Sequence, residues 1–188
     1  MAFIVGDKVI EDDKEKIGAF HDRGFGEIQG DILILAPVEA LYLTEIRKIN
    51  ILKGDAGTGG RGKGKSASKR AASSKKMYDV ASLFNELKRR DKEIAVKYYV
   101  FRDLRKKGYI VKTALKFGAE FRVYDKGVKP GEDHAKWIVY PVHETSGLTW
   151  YEFAAKNRVA HSTKKRLLIG IVDEENSVTY YEIRWIRP

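Results

Sequence analysis

The chain has no cysteine among its 188 residues, which excludes disulfides and thiolate metal centres. Its four histidines, His21, His134, His143 and His161, are scattered and lack the short paired spacing of a zinc site. No apolar run approaches the length of a membrane span. The N-terminus, MAFIVGDKVIEDDKE, has too short an apolar run for a signal peptide and turns acidic at once. Together these absences predict a soluble cytoplasmic protein with no membrane partner.

What is present allows a real core. Hydrophobic residues make up 43% of the chain and aromatics 11%, enough to exclude wholesale disorder. The length suits one large domain or two small ones sharing a core. A formal charge of +10 favours a polyanionic partner, either nucleic acid or an acidic membrane surface. That charge is unevenly placed. Residues 53–76, KGDAGTGGRGKGKSASKRAASSKK, hold eight Lys and Arg against one Asp and so carry +7 of the total. The folded body is therefore only mildly basic. Six glycines and no large apolar side chain leave this segment nothing to anchor a core. It reads as a solvated surface loop or as a basic loop that orders on RNA.

Patterning predicts an α+β (mixed α/β) chain. Residues 2–10 suggest a strand or hairpin, residues 12–22 a charged helix, and Asp31–Leu35 a buried strand. Pro37 suits the first turn of a helix along which Val38, Leu41, Tyr42, Ile46 and Ile49 recur. Val80, Leu83, Phe84 and Leu87 form a second helical stripe. In a third helix, ended by Gly108, Val96, Tyr99, Val100 and Leu104 point inward while Arg102, Arg105, Lys106 and Lys107 point outward. Strands follow. Ala119–Tyr124 places Phe121 and Val123 on one face and Glu120, Arg122 and Tyr124 on the other. Lys136–Val142 and Leu167–Val172 read as strands covered on both sides, separated by a helix marked by Leu148, Tyr151, Ala155 and Val159. The last strand, Val178–Ile186, puts Tyr181, Ile183 and Trp185 opposite Glu182 and Arg184, an exposed edge that hints at oligomer formation. The predicted division is a small N-terminal α/β domain, 1–90, carrying the basic insertion 53–76. A C-terminal mixed-sheet domain flanked by helices follows over 91–188.

Three groups of residues in the C-terminal half form a signature: Arg102-Asp103-Leu104-Arg105 with Gly108-Tyr109; Lys116-Phe117-Gly118 with Phe121, Val123 and Tyr124; and Gly127-Val128 with Pro130-Gly131 and His134. This run strongly resembles the catalytic domain of the archaeal tRNA-intron endonucleases. The segments RVAHSTKKRLLIGIVDEENSVTYYEIRW and Val38–Leu43 extend the similarity over nearly the whole chain, with the basic segment standing as an insertion. The resemblance implies a Tyr-His-Lys triad at Tyr124, His134 and Lys165, with Lys164 the competitor for the last place. It also implies two arginines that sandwich an extruded base, Arg158 and either Arg184 or Arg187. Arg158 stands seven residues before Lys165, so the two share a face if the helix is continuous. The acidic turn Asp173-Glu174-Glu175 is similar to one that family members insert into a partner subunit, although a solvent-exposed turn explains the same residues.

The implied activity is metal-independent and cofactor-free cleavage of precursor tRNA at bulge-helix-bulge junctions, giving 2′,3′-cyclic phosphate and 5′-hydroxyl ends. Such cleavage needs a base for the ribose 2′-hydroxyl, an acid for the departing oxygen and a cation for the phosphorane charge. A phenol with a pKa of about 10 is a poor base near neutrality and needs nearby cations. A loop histidine can cycle protons in the useful range. Acidic residues form no convincing two-metal cluster. Two alternatives stay open: a non-catalytic RNA-binding subunit of the same fold, and a metal-dependent DNA nuclease of resolvase type. Two cuts per intron require two active units. The implied assembly is therefore two copies paired with two of a smaller non-catalytic paralogous subunit, a heterotetramer, or otherwise a homotetramer.

Overall fold

A computed structural model describes residues 1–53, 76–114, 119–128 and 130–186. Most of the basic segment 53–76, the Lys116-Phe117-Gly118 motif and Arg187 lie outside the described residues. The described residues form an α+β fold of two five-stranded sheets and five helices.

The first sheet starts with a hairpin, β1 (Ala2–Val5) and β2 (Lys8–Glu11), turned at Gly6. Helix α1 (Lys14–Asp22) begins where the Asp13 carboxylate accepts the Glu15 N–H, satisfying one of the donors that a helix start leaves open. A second hairpin, β3 (Glu27–Gln29) and β4 (Ile32–Leu35), leads into α2 (Pro37–Glu45). The predicted continuation of α2 to Ile49 does not occur. Arg47 takes a left-handed conformation (φ 56°), so the chain leaves the helix and Ile49 is buried from a loop instead. Strand β5 (Ile51–Leu52) then lies parallel to β1, completing the order β3-β4-β2-β1-β5.

Helices α3 (Val80–Arg90) and α4 (Ile94–Lys106) cross to the second half. Asp79 and Ser82 cap α3 reciprocally. Along α4, Ile94, Tyr98, Val100, Phe101 and Leu104 are buried, a helical repeat packed between α2 and the second sheet. One continuous core thus runs from Val9, Leu33 and Leu41 through Phe101 to Val123 and Val139. Two cations predicted to point outward on α4 do not. The Arg105 guanidinium lies 3.9 Å from the Phe25 ring centre and donates to the Arg23 carbonyl at 2.9 Å, and burial lowers its pKa. Arg102 is half-buried, over the Tyr98 and Tyr99 rings and 3.7 Å from Glu45. Apolar stems and planar heads let such side chains cover aromatic surface while staying charged.

The second sheet holds β6 (Ile110–Thr113), β7 (Phe121–Tyr124), β8 (Trp137–His143), β9 (Arg166–Val172) and β10 (Val178–Ile183), in the order β10-β9-β8-β7-β6. Only β8 and β9 are parallel, joined by helix α5 (Trp150–Ser162) as the crossover. Helix α4 covers one face so closely that a Cβ on Gly170 would stand 3.1 Å from a Val100 methyl. The Tyr180 hydroxyl fastens β10 to α4 by donating to Asp103 at 2.8 Å; burial and that carboxylate raise the phenol's pKa.

Candidate active site

Strand register decides where the signature residues stand. Val123 of β7 pairs with Trp137 of β8, and Trp137 pairs with Arg166 of β9. The Lys136 N–H donates to the Val123 carbonyl at 2.9 Å, and the Arg166 N–H to the Lys136 carbonyl at 3.0 Å. Tyr124 follows Val123, His134 lies two residues before Lys136, and Lys165 precedes Arg166. The three expected triad residues, distant in sequence, therefore meet at one end of the same sheet.

Each sits differently. Tyr124 is only 5% exposed, against the expectation of a phenol on a polar face. Neither face of strand β7 is left in water, since Phe121, Val123 and Tyr124 are all buried. Arg122, placed on the face of Tyr124 by the alternation, is half-buried, and its Nε is buried without a hydrogen-bond partner among the described residues. His134 is exposed in the loop between β7 and β8, its N–H donating to the Asp133 carboxylate at 2.6 Å. That loop turns through left-handed glycines, Gly127 (φ 81°) and Gly131 (φ 100°). Its two ends are clamped by the Lys136–Asp125 ion pair at 2.5 Å, which lowers the Asp125 pKa.

Helix α5 ends at Ser162, and Lys164 turns left-handed (φ 55°). The turn breaks the helix before Lys165, so the shared helical face expected for Arg158 and Lys165 does not exist. Lys165 is half-buried, with its Nζ donating to the Thr163 carbonyl at 3.0 Å, while Lys164 is exposed. Lys165 opens onto a cleft of about 170 Å³. Asn157 and His161 of α5, Arg166 of β9 and the chain end Ile183-Arg184-Trp185 complete its walls. The structure thus brings Lys165 and Arg184 together, while Arg158 is exposed and does not line the cleft.

Glu182 organises the cleft's outer wall. Its carboxylate accepts Trp137 Nε1–H at 2.7 Å, Arg184 Nε–H at 2.7 Å and an Arg166 N–H at 3.3 Å. The Trp137 hydrogen bond, followed by those of the two arginines, holds its pKa down to about 2. Sequence reasoning missed Asn157, His161 and Trp185. The four-residue spacing of Asn157 and His161 was the available signal, but two polar residues one turn apart on a helix have no distinguishing mark until a neighbouring strand end faces them.

The acidic turn closes β9 to β10. Asp173 is committed internally, its carboxylate accepting the Ser177 N–H at 2.8 Å. Glu174 and Glu175 are exposed, and the Glu174 N–H donates to Glu144 at 3.0 Å. A larger cavity of about 670 Å³ lies between the two sheets. Its walls carry as many carboxylates (Asp7, Glu27, Glu39, Asp91, Glu120) as cations (Lys8, Arg90, Lys97, Lys112, Arg122), so its charge selects no ligand. Among the described residues, no helix is long and apolar enough to cross a membrane, and no three His, Asp or Glu side chains gather as metal ligands would.

Comparison with known proteins bears on the family. A family model described as the tRNA intron endonuclease catalytic C-terminal domain matches residues 94–180, and one described as the N-terminal domain matches residues 2–61. The chain is 38% identical over 186 residues to the tRNA-splicing endonuclease of Pyrococcus furiosus, covering 98% of this chain and 95% of that one. It is 36% identical over 186 residues to that of Thermococcus gammatolerans, covering 98% and 97%. With the tRNA-splicing endonuclease of Nanoarchaeum equitans it shares 47% identity over 104 residues, 52% of this chain and 66% of the other. With both family domains matched and similarity running nearly end to end, the chain belongs to the tRNA intron endonuclease family.

Proposed function

We propose that this endonuclease cuts precursor tRNA at the bulge-helix-bulge junctions of introns by metal-independent attack of the ribose 2′-hydroxyl, leaving a 2′,3′-cyclic phosphate and a 5′-hydroxyl. The observation that carries the reading is the register of β7, β8 and β9, which gathers Tyr124, His134 and Lys165 at one sheet end. Tyr124 acts as the general base, taking the 2′-hydroxyl proton. His134, exposed in its loop, gives a proton to the departing 5′ oxygen. The Lys165 ammonium meets the charge that develops on the phosphorane. Arg158 and Arg184 hold the substrate, with Arg184 oriented by Glu182. Because the nucleophile belongs to the substrate, only RNA serves. The division into a 1–90 domain and a 91–188 catalytic domain, and residence in the cytoplasm, belong to the same reading.

The test uses a bulge-helix-bulge RNA with and without one 2′-deoxy substitution at the cut site, in excess chelator. Cleavage of the all-ribose RNA alone is the expected result. Cleavage of the deoxy substrate, or dependence on a divalent ion, would overturn the mechanism in favour of a resolvase-type nuclease. His134→Ala should lower kcat by roughly 10²- to 10⁴-fold with RNA binding retained. If that variant cleaves normally, the triad is wrongly assigned.

Two cuts per intron call for two active units at fixed spacing. We propose two copies with two of a smaller non-catalytic paralogous subunit. The edge strand β10, with Tyr181 exposed, and the projecting Glu174 and Glu175 beside Asp173 support an interface there. Light scattering on the chain alone decides the matter, since a stable, active homotetramer would replace the two-subunit assembly.

A further inference from the structure

Of the three proposed triad residues, main-chain pairing fixes two. The Lys136 N–H reaches the Val123 carbonyl beside Tyr124, and the Lys136 carbonyl accepts the Arg166 N–H beside Lys165. His134 stands outside the strands. It is exposed in the loop that leaves β7 after Tyr124 and returns at Lys136, so its ring meets a departing oxygen only if that loop keeps one shape. The left-handed Gly127 and Gly131 allow the loop to turn but do not hold it.

We propose that the Asp125–Lys136 ion pair is the positioning device for His134. The inference rests on the proposed cleavage mechanism and adds to it two residues that act through their neighbours. Asp125 follows Tyr124, and Lys136 lies two residues after His134. Their contact at 2.5 Å therefore closes the neck of the loop with a triad residue close to each side. Both partners are themselves seated. The Asp125 carboxylate also accepts the Lys126 N–H at 3.1 Å, and its carbonyl accepts the Val128 N–H at 3.1 Å, which begins the turn. The Lys136 ammonium lies 4.5 Å from the Trp137 ring centre, and that indole is held in turn by Glu182 at 2.7 Å. The Lys136 and Asp125 side chains stay 35% and 49% exposed, and pairs so open to solvent add little to global stability. The effect of this pair is local. Misplacing a reacting group by about 1 Å can cost on the order of 10²-fold in rate, so a weak tie matters more at this neck than elsewhere on the surface.

The experiment is a charge swap read by single-turnover cleavage of a bulge-helix-bulge RNA, with the partner subunit supplied if required. Asp125→Asn and Lys136→Met should each lower the maximal rate by roughly 5-fold, about what one well-formed surface pair can shift in a loop equilibrium. The concentration giving half-maximal rate should not move. Asp125→Lys and Lys136→Asp, which set like charges against each other, should lower the rate further. The double reversal should recover at least to the level of Asp125→Asn, which a fold defect would not do. In the assembled protein without RNA, amide exchange with water followed by NMR should quicken at Val128 in Asp125→Asn while β9 stays protected. A double reversal no faster than its slower parent would overturn the assignment. So would a loss confined to Lys136→Met, which would mean that the ammonium meets the RNA directly, or exchange at Val128 unchanged in Asp125→Asn. Quickened exchange at Val128 in Asp125→Asn, with no RNA cleaved by the wild type, would strike the proposed function and leave the clamp standing.

Discussion

The two faces of the C-terminal sheet are covered by helices of very different character. Helix α4 presses five buried side chains into the continuous core, closely enough that β9 needs a glycine opposite Val100. Helix α5, of the same length, buries only Ala160 fully. It sits over a small cluster built from Ala114, Ala119, Ile138, Tyr140, Leu167 and Ile169. It leaves Trp150 85% and Tyr151 78% exposed. Yet α5 carries Arg158, Asn157 and His161, and ends at Ser162, three residues before Lys165. Apolar contacts are the main source of folding free energy, so the helix that secures the fold has little polar surface to spare. The helix that is lightly packed keeps polar faces open, and it is there that the proposed function places the substrate. Low local stability at functional elements is expected on the same ground.

Four measurements would break or sharpen this contrast. Replacing Phe101 by Ala should cost about 3–5 kcal/mol, a large part of a domain's total stability of about 5–15 kcal/mol. Phe153→Ala on α5 should cost roughly 1–2 kcal/mol, because that ring is only half-buried. Denaturant midpoints at constant slope would compare the two, and equal losses would abolish the distinction. Next, Gly170→Val should destabilise by about 1–3 kcal/mol through overpacking against Val100 and Tyr180. Calorimetry showing no fall in Tm would mean that α4 is less tightly seated than the 3.1 Å approach implies.

A smaller effect concerns pH. The Glu182 carboxyl has its pKa lowered on folding, from an ordinary 4.5 to about 2, first by Trp137 and then by its arginines. The unfolded chain binds the proton more readily, so the stabilisation is present above pH 4.5 and is lost as pH falls towards 2. Stability measured across that window should fall less steeply in Glu182→Gln than in the wild type. An unchanged slope would remove Glu182 as the organiser of the cleft wall. Last, Tyr151→Ser should change stability by no more than about 0.5 kcal/mol. A larger loss in denaturant unfolding would mean that α5 is packed where the structure shows it open.

Much of the architecture was legible in local patterning. The N-terminal hairpin, Pro37 at a helix start, the α3 stripe and the apolar strands β8 and β9 all follow from periods of two or 3.6 residues and from turn chemistry. Short elements escaped. Strand β3 is fully exposed along Glu27–Gln29, and β5 spans two residues, so neither carries a periodic signal. The final strand ends at Ile183, earlier than the alternation to Ile186 suggested. Patterning also misjudged direction. It pointed Arg105 outward, and the structure lays its guanidinium over the Phe25 ring.

The sequence by itself determined the family, the order of the main elements and the identity of the signature residues, because these rest on neighbours along the chain. Only the tertiary structure decided which faces are covered. Tyr124 is buried although alternation put it on a polar strand face, and Lys165 shares a cleft with Arg184 because β9 and β10 pair. Arg158 misses the cleft because one left-handed residue, Lys164, ends the helical geometry that its spacing assumed. Periodicity records how a segment is wound. What stands opposite it depends on contacts between residues far apart in the chain.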